Sequence, residues 1–71
     1  MKYIVVSKGL ALAAGFKLKG HRHNSTRMIL NEKELSFSNV VPGSTLEEKA
    51  QALEGEIMTN SEIHQIINEY A

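Results

Sequence analysis

The sequence predicts one small α+β domain, and three observations lead there. Short β-branched or alternating stretches suited to strands occupy the first half. Two capped amphipathic helices occupy the end, and glycines and polar turns punctuate the segments between. The expected architecture is a small, mainly antiparallel sheet of three to four short strands, with a short N-terminal helix and two C-terminal helices packed on one face. A chain of 71 residues buries only about 60% of the surface it exposes when unfolded. That is enough for a single modest core and thin for a deep catalytic cleft.

Tyr3-Ile4-Val5-Val6 is aromatic and β-branched with no polar alternation, which predicts a strand covered on both faces. Ser7 is suited to cap a short helix over residues 8–14, in which Leu10, Ala13 and Ala14 share a side, and Gly15 supplies the left-handed stop. Phe16-Lys17-Leu18-Lys19 alternates apolar and basic residues and predicts a strand over 16–22 with one wet face. A polar turn leads to a third strand over 27–31. Leu35 and Phe37 alternate in a fourth, over 34–38, with Asn31-Glu32-Lys33 read as the hairpin connection.

The remainder is helical. The only proline, Pro42, marks a boundary, and Ser44-Thr45-Leu46-Glu47 reads as a capping box opening a helix through Leu46, Ala50 and Leu53 that Gly55 ends. Glu56-Ile57-Met58 fits either a link or a brief edge strand. Thr59-Asn60-Ser61-Glu62 is a second capping box, and Ile63, Ile66, Ile67 and Tyr70 follow at i, i+3, i+4 and i+7 as an apolar stripe.

Composition narrows the function classes. With no cysteine, disulfides, thiolate metal sites and a cysteine nucleophile are excluded, and a reducing compartment is favoured. Lys8 and Gly9 interrupt the N-terminal apolar run after Val6, too soon for a secretory signal, and no run reaches the roughly 20 apolar residues of a membrane helix. A cytoplasmic protein with no membrane partner is the expectation. Ser7-Lys8-Gly9 follows a strand but lacks the glycine spacing of a phosphate loop, and no motif sets a serine beside a histidine and a carboxylate. The chain is therefore expected not to be an enzyme and to carry no cofactor.

The informative feature is charge order. Through Arg27 the chain carries Lys2, Lys8, Lys17, Lys19, Arg22 and Arg27 and no acid; from Met28 it carries eight glutamates against Lys33 and Lys49. The two halves are thus +6 (6 − 0) and −6 (2 − 8). Lys17, Lys19, His21, Arg22, His23 and Arg27 form a candidate surface for an anionic partner, an acidic protein surface or nucleic acid. If 17–23 is extended, Lys17, Lys19, His21 and His23 project together. The pair of histidines alone is short of the three or four ligands a metal site needs, so no metal is expected. The alternative is a homodimer that associates through Ile63, Ile66, Ile67 and Tyr70.

Overall fold

The computed structural model describes residues 2–67 as a three-stranded antiparallel sheet with four short helices. Strand β1 (Tyr3–Ser7) is central, flanked by β2 (Arg27–Asn31) and β3 (Glu56–Met58). The register sets Ile4 opposite Leu30, Val5 opposite Ile29 and Val6 opposite Met28, with Ile4 also opposite Ile57 on the other side. The α+β class and the antiparallel sheet are as the sequence predicts. Glu56–Met58 resolves as the edge strand.

Side chains alternate across the sheet, so β1 is buried on both faces. Ile4, Val6, Met28 and Leu30 point to one face and pack with Ala11, Leu35, Ala50 and Leu53, drawn from α1 (Lys8–Ala13), α2 (Glu32–Ser36) and α3 (Leu46–Ala52) with its C-cap. Val5 and Ile29 point to the other face and meet Ile63 of α4 (Asn60–Ile66). The two C-terminal helices therefore lie on opposite faces rather than together on one. The cause is β3, which carries the chain along the sheet edge between them.

Two predicted strands are replaced. Residues 16–22 form no strand: α1 ends in a Schellman motif, with Gly15 at φ 102° and the Phe16 amide donating back to the Ala11 carbonyl. A second turn follows, where the His21 amide donates to the Leu18 carbonyl beside Gly20 at φ 90°. Lys17 and Lys19 therefore do not continue an extended row with His21 and His23. Phe16 and Leu18 still reach the core, but from a loop. Residues 34–38 are not a strand either, because Asn31 caps α2: its side-chain oxygen accepts the Glu34 amide at 2.7 Å. Leu35 is fully buried and Phe37 exposed, so they do not share a face.

Smaller shifts have equally local causes. Ser7 occupies the N-cap of α1 without a side-chain capping bond, and Ala11, not Leu10, is the buried residue of that helix. The capping box of α3 is Thr45 with Glu48, one residue later than predicted, because the Ser44 hydroxyl turns back to the Val41 carbonyl. The Thr59–Glu62 box of α4 is present as predicted. Tyr70 lies outside the described residues.

Lys49 is the one buried charged side chain among the described residues, 4% exposed, and its ammonium donates to the Val40 carbonyl at 2.6 Å and the Val41 carbonyl at 3.3 Å. Val41 is β-branched, precedes proline and sits at φ 43°, a combination worth roughly 1–3 kcal/mol of strain. Lys49 and Ser44 together hold it there through its carbonyl. Lys49→Met keeps the stem and deletes the donors. A well-packed apolar replacement offsets part of the loss, so we expect about 1–2 kcal/mol of destabilisation by urea unfolding. Amide exchange in residues 40–44 should accelerate as Val41 relaxes, and unchanged exchange there would remove the stapling role.

Candidate functional site

The basic loop is positioned by the polar turn that leads into β2. Asn24 organises it: the side-chain oxygen accepts the Thr26 amide at 2.9 Å and the Arg27 amide at 2.7 Å, while the Asn24 amide donates to the Arg27 carbonyl. Residues 22–24 thereby fold onto the start of β2, with the Ile29 amide donating to the Arg22 carbonyl at 2.9 Å and His23 bridging to Met28. Lys8 reaches across from α1 to donate to the Asn24 carbonyl at 3.2 Å, a structural use for one cation of the basic half.

Lys17, Lys19, Arg22 and Arg27 are exposed, and His21 and His23 are half-buried. Among the described residues the single contact between a basic side chain and a carboxylate is His21 with Glu34, whose Nε2 and Oε2 lie 3.2 Å apart. The Glu48 and Glu62 carboxylates accept instead from the backbone amides and hydroxyls of Thr45 and Thr59. The acidic half thus leaves the exposed cations of the basic half unpaired among the described residues. No three His or Glu side chains among them are arranged to hold a metal ion, and His21 meets Glu34 rather than His23. No helix among them is long and apolar enough to cross a membrane.

His21 and Arg22 also line a groove of about 210 Å³ on the α4 face of the sheet. Ile63 and His64 of α4 and its C-cap Ile67 line it as well, with Ile63 and Ile67 on one side at i and i+4. Tyr3, Ile29 and Asn31 lie between, with Tyr3 and Asn31 directly paired across β1 and β2. The two surfaces predicted separately from sequence, the basic loop and the isoleucine stripe, meet in this groove. Ile66 does not line the groove and packs against the small core cluster of Val5, Ile29 and Ile63.

Family models, curated proteins and solved structures give no match to this chain. The chemistry of the groove and its basic border stands on its own residues. Among the described residues no carboxylate lines the groove, its permanent cation is Arg22, and its apolar lining is isoleucine with Tyr3. The Arg22 guanidinium offers a planar, two-pronged set of donors of the kind that pairs with carboxylate or phosphate.

Proposed function

We propose that the chain is a non-enzymatic binding module of regulatory or accessory type that meets an anionic partner through the surface of Lys17, Lys19, Arg22 and Arg27. The observation that carries this reading is that these four side chains are exposed with no carboxylate partner among the described residues, although the whole chain is formally neutral. Single-stranded nucleic acid is held largely by stacking on aromatic rings. Within the basic half Phe16 packs against the core and Tyr3 lines the groove, and the exposed Phe37 follows α2 in the acidic half. No exposed ring therefore lies among residues 2–27, which favours an acidic protein surface over nucleic acid.

Titration of labelled RNA, DNA, heparin and a polyglutamate peptide at low salt tests it. We expect binding that weakens steeply with salt. On RNA, Lys17→Gln and Lys19→Gln should each reduce the slope of log affinity against log salt by about 0.7. Salt-independent binding, or none to any polyanion, removes the proposal. The competing reading is a homodimer through α4, favoured by the half-buried Ile66 and Ile67. Light scattering over a concentration series separates the two, since a strict monomer at high concentration eliminates the dimer.

A further inference from the structure

The groove differs from the basic surface around it in having a floor. Half-buried Ile67 presents branched apolar surface beside the nearly covered Ile29 and Ile63, and Arg22 contributes the only permanent charge among the described residues. His21 is already engaged by Glu34. The Asn31 side-chain oxygen is committed to capping α2, which leaves its amide hydrogens as the free end to offer an acceptor. At about 210 Å³ the groove is smaller than the roughly 300–1,000 Å³ of sites for drug-sized ligands, which limits it to a small molecule.

We infer that this groove is a site for a small monocarboxylate with a branched aliphatic body, the carboxylate on Arg22 and Asn31 and the body on the three isoleucines. The inference rests on the reading of the chain as an anion binder and adds a ligand of defined chemistry to it. One guanidinium matches one carboxylate in charge and in its planar, two-pronged donor geometry. A phosphate dianion would leave a charge uncompensated beside the isoleucines, which is unfavourable in a partly dry site. The same chemistry is presented by a free branched-chain acid and by a peptide that ends in leucine.

The test is two-dimensional amide NMR of the full chain titrated with isocaproate, with isocaproamide and inorganic phosphate as controls. For so few atoms the affinity should be weak, with Kd on the order of 1 mM. Saturable shifts are expected at Arg22, Ile29, Asn31, Ile63 and Ile67. Isocaproamide should bind about tenfold more weakly, and Arg22→Gln should impose a similar loss on isocaproate, each reporting one charge-assisted contact. The spectrum of the variant itself reports whether it is folded. Equal binding of the amide, shifts scattered over Lys17, Lys19 and Arg27, or no saturation overturns the site.

A leucine-terminated peptide run alongside identifies the source. A stronger response to the peptide than to the acid supports a protein C-terminus, and the reverse supports a free metabolite. A Lys17→Gln/Lys19→Gln/Arg27→Gln variant keeps the two proposals apart. It should lose polyanion binding while keeping the isocaproate shifts. Polyanion binding without isocaproate shifts sinks the groove alone, and isocaproate shifts without polyanion binding sink the wider reading alone.

Discussion

Gly55→Ala is expected to destabilise the fold by roughly 2–3 kcal/mol, lowering Tm by about 10–20 °C in a domain of this size. The reason is space, since Gly55 is not among the residues with positive φ. A Cβ there would lie 2.7 Å from Val6 Cγ1, 3.0 Å from the Val5 carbonyl oxygen and 3.1 Å from the Ala50 carbonyl oxygen. Two of the three obstacles are backbone, and neither moves alone. Val5 and Val6 belong to the central strand, whose register with β2 and β3 would have to shift, and Ala50 accepts the Gly55 amide at 2.6 Å. The helix end is also strained next door: Glu54, not Gly55, takes the left-handed position, at φ 53°. Glu54→Gly should therefore stabilise by up to about 1 kcal/mol. Gly9→Ala, inside α1 with nothing within 4 Å of the new methyl, should stabilise by about 0.5–1 kcal/mol. Urea unfolding of the three variants yields a signed pattern. A Gly55→Ala protein as stable as the parent would show that α3 and β1 separate freely, and that their close approach does not constrain the fold.

The parts of the fold legible in the sequence are those decided within a few residues. β1 announces itself by a run of branched side chains, and α4 by a capping box followed by an apolar stripe; both signals are local. Residues 16–22 show the limit. Their alternation is real, since Phe16 and Leu18 both face the core, but a strand also needs an edge to pair with. β1 has both edges occupied by β2 and β3, and the outer edge of β2 takes up only residues 22–24. Short periodicity cannot reveal which edges are free. The reverse holds for Glu56–Met58, too short to read alone and fixed as a strand by a partner more than fifty residues away. The groove is harder still, because it joins residues from β1, β2, the basic loop and α4. Only two of its parts, the charged loop and the isoleucine stripe, were visible one at a time, and nothing in their spacing says that they meet.

Leu35 and Phe37 offer the sharpest contrast between what alternation predicts and what the fold does. On a strand, positions two apart share a face, so truncating either would empty a similar part of the core. With Leu35 in α2 and Phe37 at its C-cap, they lie about 200° apart around the helix axis. Leu35 is 0% exposed and Phe37 is 80% exposed. Leu35→Ala is therefore expected to lose about 3 kcal/mol, combining lost burial with the cavity left among Leu30, Ala50 and their neighbours. Phe37→Ala, which deletes the larger side chain, should change stability by no more than about 0.5 kcal/mol. The deciding residue is upstream. Asn31, at the last position of β2, gives its side-chain oxygen to the Glu34 amide and starts a helix with Glu32 and Glu34 in its first turn, where carboxylates favour the dipole. Asn31→Ala should accordingly cost about 1 kcal/mol and weaken α2 specifically. Equal losses at Leu35 and Phe37 in urea unfolding would restore the strand. A large loss at Leu35 beside an indifferent Phe37 requires that one asparagine overrides the alternation that follows it.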